Sequence, residues 1–196
     1  MKIKIFLMNF KLRLYICTKF NTMIISLVGY MGSGKSTVGK RLSKRLKLPL
    51  IDLDDYISSQ EKMTVKEIFA QKGEIYFRKL EKKYLEQLLQ KEDFILSLGG
   101  GTPVYYDNME LINRYSISFY LRMKPSELAQ TLAAKKEKRP LIAHLKDEEL
   151  KEFISKHLFE RAPYYEKAKY KIKAGNKSSQ KIVEEIIEQV KRPAVS

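Results

Sequence analysis

The run Gly29-Tyr30-Met31-Gly32-Ser33-Gly34-Lys35-Ser36-Thr37 fits the spacing G-x-x-x-x-G-K-[ST]. Its chemistry is phosphate binding. Glycines let the backbone wrap so that N–H groups point inward at phosphate oxygens. A helix beginning near Lys35 aims its positive dipole end at the same spot. Gly32, Ser33, Gly34, Lys35, Ser36 and Thr37 form the nucleotide-binding set, with Lys35 on the β- and γ-phosphates and Ser36 offering a hydroxyl to Mg²⁺. A GTPase, an ATPase motor and a small-molecule kinase share such a loop, so other residues must choose among them.

Asp52-Leu53-Asp54 closes the next apolar run. Read as strand residues, two carboxylates at i and i+2 face the same side. One can order Mg²⁺ or its water while the other accepts a proton from an attacking hydroxyl; an acidic cap on a following helix fits equally. Arg78 and Glu81 lie three apart in Gly73-Glu74-Ile75-Tyr76-Phe77-Arg78-Lys79-Leu80-Glu81. Such a pair is either a surface ion contact or a guanidinium oriented to grip a carboxylate. Gly99-Gly100-Gly101 follows another apolar run and offers close backbone approach. That run carries Ser97 where nucleotide hydrolases commonly end in Asp, which disfavours a motor or GTPase and moves Mg²⁺ duties to Asp52.

The elements that must hold these groups are short β-rich runs alternating with amphipathic stretches. Strands are expected at Met23–Val28, Pro49–Leu53, Phe94–Leu98, Ile117–Leu121 and Tyr170–Lys173. Helices are expected over 35–46, 65–71, 74–90, 107–114, 125–135, 147–161 and 178–190. Near-continuous apolar strands joined by helices predict an α/β fold: a three-layer α/β/α sandwich on a five-stranded parallel sheet, with ligands at the strands' carboxyl ends.

The 196 residues fit one such domain. A 44% hydrophobic composition excludes collagen-like and wholly disordered classes. Cys17 is the single cysteine, which excludes an internal disulfide and points to a reducing, cytoplasmic setting. The net charge of +15 suits an anionic partner or a merely Lys-rich chain. Residues 1–22 supply five of those excess positive charges and no acidic residue. They could be a signal peptide, an amphipathic anchor, or an upstream extension of a chain starting at Met23; the last is favoured, because the first core strand begins there.

Taken in order, the phosphate loop, Asp-Leu-Asp, Gly-Glu-x-x-Phe-Arg-x-x-Glu, the glycine triplet, Lys138-Arg139-Pro140-Leu141 and Arg161-x-x-x-Tyr165 resemble the shikimate kinase family over about residues 23–190. The resemblance implies a P-loop kinase with a mobile lid at about 133–150, phosphorylating the 3-hydroxyl of shikimate with ATP and Mg²⁺. Residues 191–196 are then a tail. Carried over by position, Asp54 is the substrate-binding aspartate and base, and Arg78 and Arg161 hold the acceptor carboxylate. Gly100, flanked by Gly99 and Gly101, contacts the substrate and Phe77 lines its pocket. Asp52 and Ser36 serve Mg²⁺, Arg139 closes over the ATP phosphates, and Glu81 partners Arg78. The segment after the last strand departs from the family's pattern at Lys173-Ala174-Gly175-Asn176, leaving the adenine contacts unassigned. His144 and His157 read as incidental, and Tyr164 and Tyr165 as packing residues.

A monomer with no nucleic-acid or membrane partner is expected, since no run of 18 apolar residues occurs to span a membrane. Rival readings are a related kinase acting on gluconate or a nucleoside monophosphate, and a basic nucleotide-gated nucleic-acid-binding protein. Paired arginines with a glycine triplet favour a compact carboxylate acceptor over the first. Scattered basic residues, many paired with Glu at helical spacing, disfavour the second.

Overall fold

The computed structural model describes residues 23–134 and 142–191. The 1–22 extension, Arg139 with its neighbours in the expected lid, and the tail beyond Lys191 lie outside the described residues. Five strands, β1 (Ile24–Val28), β2 (Leu50–Asp52), β3 (Phe94–Ser97), β4 (Ile117–Arg122) and β5 (Tyr170–Lys173), form one sheet in the order β2-β3-β1-β4-β5. All four pairings are parallel, with Ser26 opposite both Leu96 and Ser118 in the central register.

Apolar residues on successive positions of a strand face opposite ways, so continuous apolar strands require cover on both sides. Ile24, Val28, Phe94 and Leu96 pack to one face, and Ile25, Leu27, Ile95 and Phe119 to the other. The second face is covered by α1 (Lys35–Leu46) and α7 (Ser179–Lys191), through Val38, Leu42, Ile182 and Ile186. The first is covered by α2 (Leu53–Glu61), α3 (Val65–Leu88), α4 (Asn108–Tyr115), α5 (Pro125–Ala133) and α6 (Asp147–Tyr165), through Ile57, Leu85, Ile112, Leu128 and Ile154 among others. The expected three-layer α/β/α architecture is therefore present. Within the second half of the expected lid, Ile142 and Leu150 are buried in this face.

Two local features differ from the sequence reading. The strand expected to run to Leu53 stops at Asp52, whose side chain caps α2 by accepting the Asp54 N–H at 3.1 Å. Asp54 thus stands on the first turn of a helix, not on a strand. Helix α2 has a weak signature because two turns bury only Leu53 and Ile57.

The stretches expected as two helices instead form a single kinked element, α3. It starts at a capping box in which Thr64 accepts from the Glu67 N–H and Glu67 accepts from the Thr64 N–H. The kink is Gly73, at φ 79° and ψ 172°, a region essentially reserved for glycine. Open space surrounds the position a Cβ would take, so strain from any side chain there is purely in the backbone. Gly73→Ala is expected to lower stability by about 1–3 kcal/mol. Chemical denaturation checks this, and an unchanged midpoint refutes it.

Candidate active site

A cleft of about 420 Å³ opens at the carboxyl ends of β1, β2 and β3. One wall is the phosphate loop. Gly34 takes φ 88° as the N-cap of α1, and no acidic residue occupies the first turn of that helix. The backbone donors and the positive dipole end therefore face the cleft without a competing carboxylate from α1 itself. Lys35, Ser36 and Thr37 line it, and the Lys35 ammonium donates to the Gly29 and Tyr30 carbonyls at 2.7 and 2.9 Å. Ser33 lies beneath the loop, buried, with its hydroxyl lacking a hydrogen-bond partner among the described residues. On the outer side, Leu132 of α5 fills the space beside Gly32, while Glu127 at the other end of α5 packs its carboxylate against Gly175. Glu127 also accepts the Lys124 N–H at 2.7 Å, closing the first turn of α5.

Facing the loop are Asp52 and Asp54. Burial, with Asp52 and Glu81 nearby, pushes the Asp54 carboxyl up to about 7, despite the opposing pull of Lys35 and Arg78. Such a group sheds and regains a proton near neutrality, as a proton acceptor must. Oxygens of Ser36 and Asp52 line the same cleft. The described residues contain no cluster of three or more metal-ligating side chains. This donor set fits Mg²⁺, which is commonly held by one or two protein oxygens together with substrate phosphates.

The third wall is the glycine turn after β3. Each glycine leaves room for a different functional group. A Cβ on Gly99 would stand 3.1 Å from Asp54 Oδ1, one on Gly100 3.7 Å from Arg161 Nη1, and one on Gly101 2.6 Å from Arg78 Nη1. The turn is itself anchored from below. Glu81, 1% exposed, accepts from Arg78 Nη1 at 2.5 Å and from the Thr102 hydroxyl at 2.6 Å. Asn108 donates to the Thr102 carbonyl at 2.9 Å, and Tyr165 donates to the Gly100 carbonyl at 2.5 Å. Burial drives the Tyr165 hydroxyl well above its ordinary pKa, so it remains a donor.

The structure thus brings Gly32, Gly34, Lys35, Ser36, Thr37, Asp52, Asp54, Gly99 and Gly100 onto one cleft, with Arg161 and Arg78 beside Gly100 and Gly101. Phe77 is 3% exposed and packs behind Arg78 against Phe69. Sequence reasoning did not foresee Thr102, Asn108 or the Tyr165 anchor. Each acts across at least six and up to 65 residues, beyond any local spacing rule. His157 is not incidental in position: its Nδ1 lies 3.3 Å from the Tyr30 hydroxyl, and Tyr30 lies beneath Arg161.

A family model described as shikimate kinase matches residues 31–191. A shikimate kinase of Flavobacterium johnsoniae is 47% identical over 166 residues, covering 84% of this chain and 96% of that relative. A crystal structure of shikimate kinase from Bacteroides thetaiotaomicron superposes with a TM-score of 0.79 at 38% identity, covering 86% of this chain and 96% of the other. A shikimate kinase from Acinetobacter baumannii in complex with shikimate gives 0.78 at 28% identity, covering 86% and 93%.

The raised Asp54 pKa has a consequence for stability. Native Asp54 binds a proton more tightly than the unfolded chain, so its contribution is greatest below about pH 4 and is lost as pH rises to about 7. Asp54→Asn removes that penalty. The variant is expected to melt above the parent at pH 8, with the gap closing towards pH 4. Thermal denaturation across pH checks this, and a variant melting below the parent at pH 8 refutes it.

Proposed function

The chain belongs to the shikimate kinase family, whose reaction is the ATP-dependent phosphorylation of the shikimate 3-hydroxyl in aromatic amino-acid biosynthesis, and we propose that its residues divide that work as follows. The phosphate loop, Gly32 to Thr37, holds the triphosphate of ATP, with Lys35 on its β- and γ-phosphates. Arg78 and Arg161 grip the shikimate carboxylate, and the turn at Gly99 to Gly101 seats the ring with Phe77 behind it. Asp54 takes the proton of the 3-hydroxyl as that oxygen bonds to the γ-phosphorus and ADP departs. Ser36 and Asp52 hold Mg²⁺, which when bound neutralises phosphate charge. Arg139 closes over the phosphates.

The observation that carries this division is the glycine turn, at which an aspartate tuned to about 7 and two guanidinium groups meet beside the phosphate loop. A small ring acid needs an ionic clamp at one end and a proton acceptor at the other. The arrangement supplies both at fixed separation. Catalysis is then mainly positioning and charge neutralisation. No helix among the described residues is long and apolar enough to cross a membrane. The single cysteine of the chain suits a reducing, cytoplasmic setting, and the proposal takes the enzyme to act as a monomer on small molecules rather than on nucleic acid or membranes.

ADP release with shikimate, compared with quinate, gluconate and nucleoside monophosphates, tests the acceptor. Preference for any of the others over shikimate overturns it. Arg161→Ala is expected to raise the shikimate KM by about tenfold or more, the scale of a lost charge-assisted contact, while the ATP KM moves little. Equal losses for both substrates would argue against the clamp. Because only ionised Asp54 accepts a proton, kcat/KM for shikimate should fall below about pH 7 with unit slope. A flat profile between pH 5 and 8 would leave Asp54 without a proton-accepting role.

A further inference from the structure

Two carboxylates compete for the guanidinium of Arg78, and they differ in kind. Glu81 takes the Nη1 corner from inside the protein, where it is 1% exposed and also bound by Thr102. It has no solvent to swing into and serves as a permanent support. Glu74, one turn earlier on α3, takes the opposite edge. Its Oε1 accepts from Arg78 Nε at 3.2 Å and from Nη2 at 2.9 Å. That side chain is 53% exposed, against 11% for Arg78.

The Nε–Nη2 edge is one of the paired-donor faces a guanidinium offers to a carboxylate. Here that face is already occupied by an acid of the chain itself. Two further contacts define the place. Tyr105 donates its hydroxyl to the same Glu74 oxygen at 2.8 Å, and its ring lies 4.2 Å from the guanidinium carbon. The Tyr105 hydrogen bond first, then Arg78 and, least, the more distant charge of Arg161 hold the Glu74 carboxyl below its ordinary pKa. Glu74 therefore sits as an anion in the field of both arginines assigned to the acceptor.

We propose that Glu74 is a built-in competitor for the acceptor's carboxylate, occupying the outer edge of Arg78 until shikimate displaces it, and so setting acceptor affinity and discrimination against weaker acids. The proposal rests on the reading that Arg78 holds the acceptor. The exchange is chemically balanced: one carboxylate leaves the guanidinium for water as another arrives, with no change in proton count. A half-exposed Glu can leave at small cost, since exposed pairs at i,i+4 are worth tenths of a kcal/mol to about one. Glu81 cannot leave, so Arg78 keeps its orientation while the exchange occurs. An acid able to engage Arg161 and the glycine turn as well outbids Glu74; a bare carboxylate does so poorly.

Titration calorimetry of shikimate binding to the full chain and its Glu74→Gln variant tests this. Gln keeps the size of the side chain but not its charge. The variant is expected to bind shikimate about two- to fivefold more tightly, with a matching fall in shikimate KM and no matching change in ATP KM. Cyclohexanecarboxylate, used as a competitive probe, should gain at least as much. Unchanged or weaker shikimate binding in Glu74→Gln overturns the proposal, showing that Glu74 supports Arg78 in the bound state. Arg78→Lys separates the two layers. If it weakens shikimate binding while Glu74→Gln does not strengthen it, only the competitor fails; if it leaves binding unchanged, the clamp reading itself fails.

Discussion

Three consecutive residues without side chains are the constraint on which the site depends. Gly99 and Gly101 leave out side chains where Asp54 and Arg78 approach most closely, and Gly100 between them lies in ordinary contact range of Arg161. The three groups come from α2, α6 and α3: α2 and α3 follow one another, whereas α6 lies near the far end of the chain. A methyl group at Gly101 would collide with Arg78 Nη1 at 2.6 Å, so the guanidinium would have to move from its place beside the turn if that position carried a side chain. The hydrogen bonds from Thr102, Asn108 and Tyr165 then fix the turn's own position. Such buried polar networks are costly when half-formed and specific when complete.

The fold was largely legible because it rests on strong local signals. Buried parallel strands read as continuous apolar runs, and the phosphate loop has a fixed spacing between a strand and a helix. Helix α2 was not legible: two turns with only Leu53 and Ile57 inward give no periodicity to detect. Its absence from the sequence reading placed Asp54 on a strand, though Asp52 and Asp54 still face one cleft. The cap formed by Asp52 explains why, since the chain turns from strand to helix without leaving the sheet edge. The site's charged residues were legible as types. Their supports were not, since a contact such as Tyr165 to Gly100 spans 65 positions.

The site also shows how function sets itself against stability. Asp54 is held near Asp52 and Glu81 in a partly dehydrated place, where ionisation is disfavoured. A fold selected for stability alone would neutralise it with a closer cation. Lys35 and Arg78 instead act at a distance, each already bonded elsewhere. The carboxyl is thereby left at a pKa where it can take a proton and release it again.

Helix α5 links two regions that the sequence separates widely. Leu132 near its end presses on Gly32, and Glu127 in its first turn abuts Gly175 beyond β5. With nine residues, the helix is too short to bend between these points, so it works as a strut pinned at both ends. Tilting it to relieve one contact would load the other. One short rigid spacer therefore braces both the phosphate loop and the turn beyond β5.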